Sequence, residues 1–368
     1  MVKLLHIIFL HVLLFFTPLA FAEPIKIGVA GSFSGDNTNT GKYQWEGALL
    51  AVENINKEGG INGDQIVLIQ QDTSCNVNQS LLAAQRLIKD EVIAVIGHVC
   101  SDASIAASEL YAPAHVVMIT PASTNPVLTE QGYNNVFRTC GRDDNQGVVA
   151  ANFIVNDLKL SKIILVHDSS VYGLGLAKSI KESFEKLGVS VVLIGSITRG
   201  QKNIKNLIDK IKSTSADVLY YAGLDTDAGC LLNQLRKSNN KIIFFSGDAI
   251  STPGFVEMAG GPEIVNNTYF TFTDPLASTQ AKKVLGELEK QKITPTGFTL
   301  NSYAAVEAVA EAIKKTRSRD KQVIAQWLHA NKVSTIIGDL KWDEKGDLQN
   351  IPFQVYKWND QGVSTRVK

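Results

Sequence analysis

The chain carries no excess of charge: 36 basic residues stand against 36 acidic ones in 368 positions. Such a balance gives no electrostatic hold on nucleic acid or on an anionic membrane surface. Cysteine is scarce, four in all, and none is spaced as CxxC, which argues against a zinc cluster. No G-x-S-x-G elbow is present, and "GVAGSFSG" near the start lacks the spacing of a dinucleotide fingerprint. The acidic stretch "DEKGDL", Asp343 to Leu348, fails as a calcium loop, because Leu348 and Gln354 stand where glycine and glutamate are required. We read it as a turn, and no metal and no cofactor are expected. Short repeats and low-complexity tracts are also missing, which removes solenoids and disordered tails.

What is present begins with "MVKLLHIIFLHVLLFFTPLAFAEP". Lys3 gives a basic start, Leu4 to Phe16 is almost wholly apolar, and Ala20-Phe21-Ala22 is a small-x-small cleavage site. This predicts a secretory signal peptide, residues 1–22, cut after Ala22. The run is shorter than the roughly 20 residues of a membrane span. No cysteine follows the site to carry a lipid, and the rest of the chain has no other long apolar run. An exported chain meets an oxidising compartment, so at least one disulfide is expected. Cys75, Cys100, Cys140 and Cys230 allow three complete pairings, which spacing leaves open.

From Ile25 onward short apolar runs alternate with amphipathic segments. "IKIGVAG" reads as a buried strand, and Trp45, Ala48, Leu49, Val52 and Ile55 then fall at helical spacing. The beat continues through "QIVLIQQD", "VIAVIGH" and "VVMITP", and a second series runs through "KIILVHD", "VSVVLIGSI", "DVLYYAG" and "KIIFFSGD". Two series of alternating strands and helices predict an α/β fold of two doubly wound lobes with parallel-type sheets. Helices are expected around Gln280 to Gln291, Leu300 to Lys315 and Gln322 to Ala330, followed by the strand-like "IPFQVYKW". Those helices would return to the first lobe and the tail to the second. The expected division is 23–141 plus 272–338 for lobe 1 and 142–271 plus 339–368 for lobe 2, with a multi-strand hinge and a cleft between them.

In open parallel sheets ligands bind beyond the carboxyl ends of the strands. Ser101, Thr124, Tyr172 and Asp248 all follow apolar runs at such ends. Ser101 opens the helix-like "SDASIAASEL", and a helix N-terminus offers free amides and a positive dipole end to a carboxylate. Asp248 would supply a negative charge for an ammonium. The bland readings are that Ser101 and Thr124 cap helices and that Asp248 marks a turn. A hydrolase reading of Ser101 with His98 lacks the nucleophile elbow, and nothing brings that histidine to the serine. No catalysis is expected.

Taken together, "IKIGVAGSFSG", "GGINGDQI", "VIGHVCS", "MITPAST", "FRTCGRDDNQG", "HDSSVYGLGLA", "LNSYAAVEA" and "KWDEKGDL" carry a resemblance. The chain resembles the periplasmic leucine/isoleucine/valine-binding proteins of ABC importers, and more distantly the amino-acid-binding region of metabotropic glutamate receptors. The resemblance implies a type I periplasmic binding protein fold, periplasmic location and a monomer that captures an amino acid, branched-chain or otherwise aliphatic. Importer membrane subunits would be its partners. By matching position, Ser101 and Thr124 would hold the α-carboxylate, and the Ala122 carbonyl with the Thr124 hydroxyl would help hold the ammonium, which pairs with Asp248. Cys100, Ala122, Ser123, Tyr172 and Phe298 would line the pocket or cleft, with Asp143 at the second-lobe rim. Cys75 and Cys100 would form the family disulfide.

Three departures bear on the ligand. Thr40 and Leu224 stand where close relatives place tyrosines, and Asp248 stands where they place glutamate. These changes leave a larger or more polar amino acid open. Alternatives on the same scaffold are a binder of a γ-amino acid, an amide or urea, and a periplasmic sensor module.

Overall fold

The computed structural model describes residues 23–35, 37–273, 275, 279 and 281–367, and the expected signal segment lies outside them. Strands β1 (Ile25–Gly31), β2 (Ile66–Asp72), β3 (Ala94–Gly97), β4 (Val117–Thr120) and β5 (Val136–Arg138) form one sheet. Its order is β2-β1-β3-β4-β5, parallel throughout, with Ile25 opposite Ile66 and Ile27 opposite Ala94.

The second sheet holds β6 (Ile163–His167), β7 (Val191–Ser196), β8 (Val218–Ala222), β9 (Ile243–Ser246) and β10 (Thr268–Thr273), all parallel. Beyond β11 (Val333–Thr335) and β12 (Gly338–Leu340), a separate hairpin, β13 (Phe353–Trp358) and β14 (Ser364–Arg366) extend the second sheet antiparallel. Its order is β14-β13-β10-β9-β8-β6-β7.

Burial explains which runs were plain to see. The central strands β3, β4 and β8 are buried along their whole length because helices cover both faces. At the edge, β7 alternates half-buried and exposed residues, with Val192 and Ile194 on the open side.

Helices fill the connections: α1 (Thr38–Lys57), α2 (Val77–Lys89), α3 (Ser101–Tyr111), α4 (Val127–Glu130), α5 (Asp143–Asn152) and α6 (Val171–Lys186). They continue with α7 (Lys205–Ser213), α8 (Asp225–Lys237), α9 (Pro253–Ala259), α10 (Pro262–Val265), α11 (Ala281–Lys290), α12 (Gly297–Thr316) and α13 (Lys321–Ala330). Helices α11 to α13 pack on the first sheet: Leu288, Leu300, Val309 and Ile324 share one core with Ile27 and Ile96. Leu340 and Trp342 also belong to that core, a few residues past the expected crossing at 338.

The packing face of α1 follows the apolar pattern read along it at Trp45, Ala48, Val52 and Ile55 and departs from it at one position. Leu49 is exposed, while Gly41, Gly47, Ala48 and Ala51 are buried. A Cβ at Gly47 would run into the Thr299 carbonyl of α12, so the two helices meet through small residues rather than through a leucine ridge.

Among the described residues no helix is long and apolar enough to cross a membrane. In each sheet the strand order turns back on itself, at β1/β3 in the first and β6/β8 in the second. The loops after those strands therefore face one crevice.

Candidate functional site

The loop after β3 is held by its own carbonyl. The His98 carbonyl accepts from the hydroxyls of Thr120 at 2.7 Å, Ser104 at 3.2 Å and Ser123 at 3.2 Å. Ser123 also meets Ser104 at 2.6 Å, so its hydroxyl ties the ends of β3 and β4 together. The His98 ring is fully buried against the Tyr111 hydroxyl at 3.1 Å, and burial holds its pKa down to about 3. It is a neutral structural side chain, not a base for Ser101.

Cys100 precedes α3 at its N-cap position and makes no side-chain cap bond, which leaves the first amides of the helix to another partner. It is joined to Cys75 with 5.4 Å between the Cα atoms. Asn37 Nδ2 leans on both sulfurs at 3.3 and 3.4 Å. The expected disulfide is therefore present, and it anchors the loop that begins at Ser101.

In the second lobe the Asp168 carboxylate accepts from the Ser170 amide at 2.9 Å and the Leu224 amide at 3.1 Å, locking the starts of α6 and α8 together. Ser170 caps α6 by accepting from the Gly173 amide. This fixes Tyr172, whose hydroxyl donates to Asp248 at 2.9 Å, and Gln146 Nε2 donates to the same oxygen at 3.0 Å. Asp248 opens a single 3-10 turn after β9. Burial raises its pKa above the ordinary aspartate value, and the bonds from Gln146 and Tyr172 oppose that rise.

These loops line one cavity that is partly open to solvent. Thr40, Cys100, Ser101, Ala122 and Phe298 form the wall from the first lobe; Tyr172, Leu224 and Asp248 form it from the second. Three expected site residues stand behind the wall instead. Ser123 is spent on the loop knot just described. Thr124 is buried, and its carbonyl accepts the Asp143 amide at 3.0 Å. The Asp143 carboxyl is fully buried, and its pKa lies well above the usual range, first through burial and then through the charge of Asp248, with the Thr124 hydroxyl opposing.

The wall also contains residues that the sequence reading did not single out: Asn37, Val99, Asp102, Arg199, Asp225 and Ala249. Asn37 and Asp225 sit at or beside helix starts after β1 and β8, where the strand-end rule could have found them. Arg199 lies after the edge strand β7 and has no local signal.

The lobes touch across the cleft. Asn125 Nδ2 donates to the Val171 carbonyl at 2.8 Å, and Arg199 Nη1 donates to the Cys75 carbonyl at 3.1 Å. A helix N-terminus faces the cavity from one side and a buried carboxylate from the other, so the cavity suits a small zwitterion. The fold and cavity define a two-lobed binding protein of the kind that closes around a solute.

A family model described as periplasmic binding protein matches residues 24–363, and the chain belongs to that family. It is 42% identical over 340 residues to an "Amino acid binding protein" of Pseudomonas aeruginosa, covering 92% of this chain and 91% of the relative. It is 34% identical over 355 residues to the "Leu/Ile/Val-binding protein" of Escherichia coli, covering 96% of each. Among solved structures it resembles the leucine-binding protein of Thermotoga maritima, with a TM-score of 0.86 at 27% identity over 94% of this chain and 98% of that one. It also resembles the branched-chain amino acid transporter substrate-binding protein of Streptococcus pneumoniae in complex with isoleucine, with a TM-score of 0.84 at 26% identity over 94% and 100%.

Proposed function

We propose that this chain is a periplasmic solute-binding protein that captures one amino acid, branched-chain or otherwise aliphatic, in the interlobe cleft and delivers it to an ABC importer. The observation that carries the reading is the placement of Ser101 at the start of α3 and Asp248 on opposite walls of one cavity. An amino acid taken out of water needs both charges met, because an unpaired buried charge is costly. The α-carboxylate takes the first amides of α3 and the Ser101 hydroxyl. The ammonium takes Asp248 and the Ala122 carbonyl, while Ser123, Thr124 and Asp143 support that wall from behind.

The side chain packs against Val99, Leu224 and Phe298, and the names of the Escherichia coli and Thermotoga maritima proteins support an aliphatic one. Because the two charges are met from different lobes, the ligand favours the closed form by bridging them. The importer's membrane subunits then meet the closed surface of a monomer. No chemical step is needed, as befits a family of substrate-binding proteins. Residues 1–22 direct export to the periplasm. The lobes are 23–141 with 272–348 and 142–271 with 349–368, the last crossing falling after Leu348 because Trp342 and Leu348 both pack on the first core and Asp347 pairs with Arg138.

Isothermal calorimetry of the mature protein, stripped of any ligand carried through purification, tests this against a panel of natural amino acids. At least one is expected to bind tightly and one-to-one. Silence across the whole panel rejects the reading.

A further inference from the structure

The bond from Asn125 to Val171 crosses the cleft outside the cavity. Neither of these residues lines the cavity, although Tyr172, next after Val171, does. Asn125 is 2% exposed, and its other hydrogen bonds belong to its own lobe. Its carbonyl accepts from Arg138 Nη2 at 3.0 Å, and its side-chain oxygen accepts the Val127 amide at 2.9 Å, where α4 begins. That second bond orients the carboxamide. With its oxygen held in the first lobe, Nδ2 faces the second and donates to the Val171 carbonyl at 2.8 Å.

The facing helix is shaped for that donor. A Cβ built on Gly175 would collide with Asn125 Nδ2, so only hydrogen at this position lets the carboxamide reach α6. Glycine within a helix costs stability relative to alanine, and Gly175 lies inside a 16-residue helix. The close approach of the other lobe gives that glycine a role. Arg199 also crosses the cleft, to the Cys75 carbonyl, but it lines the cavity, so a change there mixes closure with the cavity wall. Asn125 and Gly175 stand clear of that wall and separate the two.

We infer that Asn125, seated in the notch at Gly175, is a positioning residue for solute capture: a latch between the lobes that touches no solute and sets how strongly the closed form is favoured. The inference rests on the solute-binding reading above and deepens it. The crossing bond exists only when the lobes are together; with the lobes apart, Nδ2 and the Val171 carbonyl both face water. Loss of the latch therefore leaves the open form as it was and makes closure less favourable. A solute held by the closed form then binds more weakly by the factor lost in closure, and that factor is the same for every solute.

Calorimetry with leucine, isoleucine and valine on the stripped wild-type protein, Asn125→Ala, Gly175→Ala and the double variant is the test, with thermal unfolding of each ligand-free form alongside. Asn125→Ala is expected to weaken all three amino acids by one common factor, about threefold to tenfold for a lost hydrogen bond. Gly175→Ala is expected to weaken them by a common factor too, while its ligand-free form unfolds at an unchanged or higher temperature, because alanine is the better helix former. The double variant is expected to bind no more weakly than Asn125→Ala alone, since the added methyl group then meets no carboxamide. Losses that differ among the three amino acids would put Asn125 against the solute and overturn the latch. Wild-type affinity in Gly175→Ala, or losses that simply add in the double variant, would overturn it as well and leave the amino-acid reading standing. Silence from all three with the wild-type protein rejects the aliphatic amino-acid reading itself, and the latch falls with it.

Discussion

The Tyr172 hydroxyl donates to the Asp248 carboxylate at 2.9 Å, joining the start of α6 to the end of β9 within one lobe. Gln146 adds a second donor to the same oxygen, so the carboxylate is oriented before any ligand arrives. Preorganisation of this kind lowers the ordering cost of binding. Asp248→Ala is expected to weaken amino-acid binding by about a hundredfold or more, since it leaves the enclosed ammonium without a counter-charge. Tyr172→Phe removes one orienting bond and is expected to cost about tenfold. Calorimetric titration of both variants checks the order; a tyrosine variant weaker than the aspartate variant would assign the ammonium elsewhere.

The same carboxylate sets a pH dependence. Burial raises the pKa of Asp248 in the unliganded protein, and the hydrogen bonds from Gln146 and Tyr172 oppose that rise without cancelling it. The ammonium binds the ionised form of Asp248. Lowering the pH protonates Asp248 sooner than it would an ordinary aspartate, so affinity is expected to fall as pH drops, starting above the usual value of about 4. Titrations from about pH 8 down to about pH 4 should show the decline, with protons released on binding in the acid half of that range. Affinity that stays flat through the range would remove Asp248 from the ammonium site.

The disulfide supports the opposite wall. Cys75 and Cys100 are 25 residues apart, and the bridge ties the α3 loop to the carbonyl that Arg199 grips from the other lobe. Replacing both cysteines with serine is expected to cost about 3 kcal/mol of stability by the chain-entropy argument. Urea unfolding measures that loss. Ligand affinity should fall with it, because the start of α3 loses its anchor. Unchanged affinity in a destabilised but folded double variant would show that the loop is held by the His98 carbonyl knot alone.

The parts of this fold that were plain in the sequence are those whose local pattern and tertiary environment agree. β3, β4 and β8 are continuous apolar runs because both faces are covered. In α1, Trp45, Ala48, Val52 and Ile55 face the core as their spacing predicts, while Leu49 is exposed and the contact with α12 is made through Gly47, a residue that apolar periodicity scores poorly. In the cavity, Ser101, Tyr172 and Asp248 stand where strand-end reasoning put them. The resemblance places Ser123 at the pocket, and in this structure its hydroxyl meets the His98 carbonyl; a hydroxyl in a strand-end loop looks the same in sequence whether it faces a ligand or a backbone carbonyl. Arg199 carries no signal for the opposite reason: its neighbours in the chain are unremarkable, and its contact with Cys75 is 124 residues distant in sequence.

Asp347 sits in the "DEKGDL" turn and is bound by two arginines, Arg138 and Arg142. Thr129 donates to it as well, at 3.0 Å. Arg138 is fully buried and also donates to the carbonyls of Ser123 and Asn125, the residues flanking Thr124. Burial alone would raise the pKa of Asp347, but the charge of Arg138 and the hydrogen bonds from both arginines outweigh it, and the net shift is downward. A lowered folded-state value means that the stabilisation is complete above the unfolded aspartate value of about 4 and is lost as pH falls through the folded one. Asp347→Asn strands the buried guanidinium and is expected to cost about 3–5 kcal/mol at neutral pH. The penalty relative to wild type should shrink in acid, below about pH 4, where the wild-type carboxylate also protonates. Chemical denaturation at neutral and acid pH checks both parts. A cost that stayed constant with pH would mean that the asparagine acts through turn geometry, not through the missing charge.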